Sequence, residues 1–163
     1  MSVKTDLEHL GLLAKGAHIP PEAHALTALC DAGVLEGGLS IALDLRPDEL
    51  IGPLCERIGG GARVLKVLDV REDPEVALIV DAGRGEESWD VRDTRDLVER
   101  CNDEFRDDGE ARAVAVLGEW EDSLQLWCIP KRALSALLRA PFFQAENRAR
   151  LSALVPAANR GLR

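Results

Sequence analysis

The side chains best suited to nucleophilic or metal chemistry are four cysteines and three histidines, and their spacing favours neither kind of site. The cysteines lie far apart, without a Cys-x-x-Cys pair or a zinc-type Cys/His pattern; they are Cys30, Cys55, Cys101 and Cys128. His18 and His24 are six positions apart, whereas metal ligands on one helix face are three or four apart. A reactive cysteine also needs a nearby base or positive charge, and the helix neighbours of Cys101 are mainly acids. We therefore expect four reduced, buried thiols, no enzyme activity, and no metal or cofactor.

A carboxylate among large aromatic side chains is the other pattern that could form a ligand site. Trp89, Trp120 and Trp127 fall in or beside predicted strands, and Glu119 adjoins Trp120. One interpretation is a small-molecule pocket walled by indoles, with one carboxylate to orient the ligand. The alternative is ordinary packing in the core and at its rim, which we favour because large aromatic side chains are mostly buried.

These residues are positioned by one predicted helix and the hairpin that follows it, within Arg92–Ile129. The helix is indicated by apolar residues at helical spacing: Leu97, Val98, Cys101 and Phe105. Asp93 is suited to cap its first turn, and Gly109 is suited to end it in the left-handed conformation. Two strands follow, Ala113–Trp120 and Leu124–Ile129, with a short turn between them.

The same plan occurs once before, in Pro47–Val80. Its helix carries apolar residues 47 positions before those of the later helix: Leu50, Ile51, Leu54 and Ile58. The strands match at an offset of 49, since Ala62-Arg63 corresponds to Ala111-Arg112. The chain therefore contains two helix–strand–strand units.

The remaining segments complete a prediction of the whole fold. Ser88–Val91 is compatible with a strand, Leu39–Leu45 with a strand or extended lead-in, and Pro130 opens a further helix. From Pro47 onward the predicted order is α-β-β-β-α-β-β-α. We expect an α+β protein with an antiparallel sheet of about five or six strands packed by helices. Residues 1–38 form a helical arm or cap, 39–156 a single domain and 157–163 a frayed tail.

Charge and hydropathy restrict the partners. The net charge is −9, and the stretch from Pro130 to Arg163 carries seven basic residues and one acid, so the rest is strongly acidic. An acidic body repels phosphate, which argues against nucleic acid. The basic stretch either lies across the chain's own acidic helices or binds an acidic partner. There is no apolar run long enough to span a bilayer and no secretory signal, so we expect a cytoplasmic protein without a membrane partner.

The element order, the central helix segment ERCNDEF leading into a hairpin, and the earlier helix PDELIGPLCERIGG resemble the YbjN family and the structurally related type III secretion chaperones. The resemblance covers about residues 47–140. It implies a small acidic α+β protein of bacteria that binds other proteins, commonly as a dimer, without catalysis.

The sequence thus predicts a non-catalytic protein-binding or regulatory protein, similar to a chaperone or adaptor. A homodimer through the central helix would depend on arginine pairing across a twofold axis. The residues expected at that interface are Arg95, Arg100, Asn102 and Arg106. The alternative function is a small-molecule effector sensor that uses the tryptophan-lined pocket.

Overall fold

In the described part of the chain, α-helices pack with two three-stranded antiparallel sheets. The computed structural model describes residues 7, 9–13, 26–72, 76–139, 143 and 145–155. Its elements are α1 (Leu26–Asp31), β1 (Gly38–Ala42), α2 (Pro47–Ile58), a 3₁₀ helix (Gly60–Val64), β2 (Lys66–Arg71), β3 (Ala77–Asp81), β4 (Glu86–Asp90), α3 (Thr94–Glu104), β5 (Ala113–Trp120), β6 (Ser123–Ile129), α4 (Lys131–Arg139) and α5 (Ala145–Ser152). The predicted α+β class and the order from Pro47 onward are confirmed, with the 3₁₀ helix and α5 added.

The predicted single sheet of five or six strands is wrong. Sheet A has the strand order β1-β6-β5, and sheet B has the order β2-β3-β4. The physical reason lies at the free edge of β5, where a side chain takes the place of a neighbouring strand. The Asn102 amide of α3 donates to the Val114 carbonyl oxygen (3.0 Å) and accepts from the Val114 N–H (2.9 Å). Sheet A therefore ends at β5.

The internal repeat is longer than the sequence indicated. The pairing register skips one residue in β2, between Val67 and Asp69, and one in β5, between Val116 and Gly118. The two irregularities lie 49 residues apart along the chain. The second strands match at an offset of 46, because Val80 pairs with Val67 as Leu126 pairs with Val116. Each unit also begins with an equivalent strand, β1 or β4, so the units are strand–helix–strand–strand over residues 38–81 and 86–129.

The two units exchange their first strands. β1 of the first unit pairs with β6 of the second, and β4 of the second unit pairs with β3 of the first. Each sheet is thus completed by a strand from the other unit. β3, which carries apolar residues on both faces, lies between β2 and β4 and is therefore the central strand of sheet B.

Sheet A is buried on both faces. Residues that alternate along β5 and β6 lie in two separate clusters, with Val114 and Leu126 in one and Ala115 and Trp127 in the other. The first cluster, the inner core, also contains the apolar stripes of α2 and α3 and residues of sheet B. The second cluster, the outer core, contains residues of α1, α4 and α5 together with Leu7 and Leu12.

The central helix α3 begins as predicted and ends earlier. Asp93 accepts a hydrogen bond from the Asp96 N–H at 2.9 Å, so the predicted N-terminal cap is confirmed. Gly109 does not end the helix, which stops at Glu104 with Phe105 as its C-terminal cap. The predicted apolar stripe is confirmed, since Leu97, Val98, Cys101 and Phe105 are all buried.

A buried lysine closes the C-terminal end of α3. The Lys131 ammonium, at the start of α4, donates to the carbonyl oxygens of Phe105 (2.6 Å), Arg106 (2.9 Å) and Asp108 (2.7 Å). Burial lowers the pKa of Lys131, and Asp108 and Asp107 oppose that shift. A lysine ammonium satisfies three carbonyls at once and complements the negative end of the helix dipole. Lys131 thereby ties α4 to α3.

Asp108 links the same loop to the first unit. Its carboxylate accepts from the backbone N–H of Gly61 at 2.7 Å and of Glu110 at 3.0 Å. These backbone bonds hold the pKa of Asp108 below its usual value. The loop after α3 is therefore bonded both to α4 and to the 3₁₀ helix after α2.

The arm predicted for residues 1–38 is described in part by the structure. Leu7, Leu12 and Leu29 are buried in the outer core, so the described part of residues 1–38 packs on sheet A. His18, His24 and the tail 157–163 lie outside the described residues. None of the helices in the described part of the chain combines the length and apolar character required to cross a bilayer.

Lys131→Met should lower the free energy of unfolding by about 2 kcal/mol, because three carbonyl oxygens at the end of α3 lose their donor. Urea unfolding of both proteins measures the difference. Arg132→Met is the matched control, since Arg132 is exposed on the same helix, and it should change stability by less than about 0.5 kcal/mol. Equal effects of the two changes would contradict the role given to Lys131.

Candidate protein-binding site

The structure does not bring the predicted pocket residues together. Trp89 of β4 is fully buried in the inner core, whereas Trp127 of β6 is fully buried in the outer core, on the opposite face of sheet A. Trp120 and Glu119 lie near the β5–β6 turn, and both are exposed. These four residues do not line a common pocket.

Both buried indoles have partners within the fold. The Trp127 N–H donates to the Glu36 carbonyl oxygen at 2.9 Å, and its ring lies 6.2 Å from that of Phe143. The Arg100 guanidinium lies 5.1 Å from the centre of the Trp89 ring, a cation–π contact. These contacts are those of packed structural tryptophans.

The predicted interface residues on α3 lie in different surroundings. Arg95 is exposed. Arg100 contacts Trp89 and pairs with Glu87 at 3.4 Å, and Arg106 pairs with Asp103 at 2.9 Å. Asn102 is half-buried and its amide holds the edge of β5. Three of the four side chains therefore make specific contacts within the chain.

An open groove runs along the exposed side of α3, next to the end of β4. Its volume is about 380 Å³, and its lining is charged: Asp90, Arg92, Asp96, Glu99, Arg100 and Asp103. Arg150 of α5 forms an ion pair with Glu99 at 2.9 Å, which is one contact of the kind expected if the basic C-terminal stretch lies across the acidic helices. Surface ion pairs of this kind each contribute little to stability.

In the described part of the chain, a bonded side chain or a run of acids lies at three of the four sheet edges. On β5, Asn102 bonds both backbone groups of Val114, and the Asn147 amide of α5 donates to the Val116 carbonyl oxygen at 2.7 Å. The β4 edge is acidic, with Glu86, Glu87 and Asp90 in its five residues. On β1, Arg57 donates to the Gly38 carbonyl oxygen at 2.7 Å. Charges and covering side chains are common means of preventing unwanted pairing at sheet edges.

The β2 edge differs from the other three because it exposes two adjacent large apolar side chains within the strand, whereas β5 exposes Trp120 at its last residue. Val67 is 39% exposed, Leu68 is 50% exposed, and Val64 in the preceding 3₁₀ helix is 65% exposed. We call these three residues together with β2 the open edge. An exposed apolar strand edge is a template for pairing with another chain.

The internal repeat explains why this edge is open. Asn102, which closes the β5 edge, lies 47 residues after Cys55, so Cys55 occupies the matching place on α2. A thiol cannot form the two-sided bond of an amide to a strand. The Cys55 side chain is instead buried in the inner core, which also contains Cys101.

The open edge was not predicted from the sequence, although the apolar pattern of β3 contains part of the information. β3 has apolar residues on both faces, which is typical of a central strand, and a central strand in a three-stranded sheet leaves its neighbours at the edges. Which edge is covered depends on Asn102 and Asn147, and these lie 12 and 31 residues from the strand residues that they bond. Local patterns do not reveal such contacts.

The four thiols are buried and free. Burial raises the pKa of Cys30 to about 11 and that of Cys128 to about 12. The hydrogen bond between Cys101 and Cys55 raises the pKa of Cys101 and lowers that of Cys55. Within the described ranges, no three histidine, cysteine, aspartate or glutamate side chains are grouped to hold a metal ion.

Comparisons of the chain with protein-family models, with curated proteins and with solved structures found no match. The resemblance to the YbjN family and the secretion chaperones therefore stays a prediction.

Thiol labelling tests the structural role of the cysteines. In the native protein at neutral pH, all four should react with an aromatic disulfide reagent roughly a hundredfold more slowly than in the unfolded chain, because reaction needs an exposed thiolate. Mass spectrometry of partly labelled protein identifies each site. Fast, selective labelling of Cys101 would contradict this account and would favour a redox or catalytic thiol.

Proposed function

We propose that this chain is a non-catalytic protein-binding protein, similar to a chaperone or adaptor, and that its binding site is the open edge. The observation that carries the proposal is the exposure of Val64, Val67 and Leu68 on an unpaired strand edge. Main-chain hydrogen bonds would provide affinity, and apolar contacts would add to it, as in other proteins that bind partners at a sheet edge.

The contrast with the other edges supports this choice. Apolar residues at a sheet edge are a liability for a protein that must stay unassociated. The same repeat carries a covered edge at β5 and an uncovered one at β2, so the fold has the means to close such an edge. An open edge that serves binding accounts for the difference.

A homodimer through α3 remains part of the proposal. Arg95 is exposed, and the charged groove beside it offers both signs of charge to a symmetry-related copy. Arg100 and Arg106 pair with acids of their own chain, so such an interface would be a polar one that salt weakens. It lies on α3, away from the unpaired edge of β2, so both contacts can coexist in this proposal.

Replacing Val67 and Leu68 together by serine should abolish capture of the partner, because the apolar contact at the open edge is lost. The measurement is a pull-down from the source organism, read by mass spectrometry with the wild-type chain, the double variant and Trp120→Ser as bait. Trp120 is 37% exposed at the β5–β6 turn, so its variant removes a comparable apolar surface elsewhere. A partner retained by the double variant but lost by Trp120→Ser would contradict the proposal.

A further inference from the structure

We infer that the partner presents an extended segment in which acidic and apolar residues alternate, and that this segment adds to sheet B as a fourth strand beside β2. The inference rests on the proposed function and specifies the chemistry of the partner. It follows from the backbone register of the open edge and from the charges around it.

The internal repeat indicates which backbone groups face the partner. Val116 of β5 presents its carbonyl oxygen to Asn147, on the side away from β6. Val67 is the equivalent residue of β2, since Val67 pairs with Val80 as Val116 pairs with Leu126. The same register turns the backbone N–H and C=O of Val67 away from β3, because these groups alternate in direction along an antiparallel strand. A partner strand would bond them.

Three acids near the open edge already have partners. Asp69 accepts from the Val70 N–H at 2.9 Å, and Asp81 accepts from the N–H groups of Gly83 and Gly85. Glu72 forms an ion pair with Arg46. The ion pair with Arg46 neutralises Glu72, whereas Asp69 and Asp81 keep their negative charge while accepting from neutral N–H groups.

The cations of the open edge have no such partners among the described residues. Arg63, Lys66 and Arg71 are exposed, and none forms an ion pair there. Together with Arg63 beside it, the open edge therefore carries three cations and one acid, Asp69, next to its apolar side chains, on a chain with a net charge of −9. Carboxylates placed at alternate positions of an added strand would lie on the same face as these cations and attract them.

A second copy of this chain fits the edge less well. Two β2 strands paired edge to edge would bring together two cations and one acid from each copy, Lys66, Arg71 and Asp69, so each strand would meet a net positive charge. Like charges at close range across an interface are unfavourable. The charges of the edge therefore favour an acidic partner over self-pairing.

The test uses two short capped peptides, one alternating glutamate with valine and one alternating lysine with valine, and the full chain as receptor. Fluorescence anisotropy at low salt should show the acidic peptide binding about tenfold more tightly than the basic one, with added salt reducing the difference. Lys66→Glu combined with Arg71→Glu should reverse that order. Val67→Pro removes the backbone donor and should weaken binding, whereas Val67→Thr keeps the donor and the branched shape and should preserve it.

Thermal unfolding of each variant confirms that it folds, and sedimentation equilibrium reports self-association. Equal binding of the two peptides, unchanged by charge reversal, would overturn the acidic partner. A dimer that Val67→Pro dissociates would show that a second copy occupies the edge, which also overturns it. If neither peptide binds while the serine double variant still loses its captured protein, the proposed function stands and the acidic strand is rejected.

Discussion

The exchange of first strands between the two units is the constraint on which the rest of the structure depends. β1 completes sheet A against β6, and β4 completes sheet B against β3, so neither unit has a full sheet without the other. The stripes of α2 and α3 then share the inner core between them. Lys131 and Asp108 fasten the loop after α3 to both sides of this arrangement. The two halves consequently depend on each other for folding.

Local sequence patterns were sufficient to locate the helices and strands, but they did not show which strands pair to form each sheet. Periodicity located α3 and its buried stripe, and the offset of 49 found between the hairpins is also the spacing of the irregularities at Val67 and Val116. Strand alternation does not specify a partner, so the pairing of β1 with β6, as between Ser40 and Gln125, could not be read from it. Strand pairing also decides whether Trp89 and Trp127 can face a common pocket. In the structure it places them in different cores.

One position in the repeat distinguishes the covered edge of β5 from the open edge of β2. Where the second unit has Asn102, the first has Cys55, and the amide that closes β5 has no counterpart for β2. β2 then exposes apolar side chains together with cations that form no ion pair with the described residues. In this account the duplicated fold retains one edge for its own stability and leaves the equivalent edge to a partner.

Amide hydrogen exchange in the presence of the acidic strand peptide shows whether a strand adds to the open edge, because an added strand protects the amides that it bonds. We expect slower exchange in β2, centred on Val67, with no change in β5 or α3. Protection along the groove of α3, or bound peptide without protection of β2, would contradict this expectation.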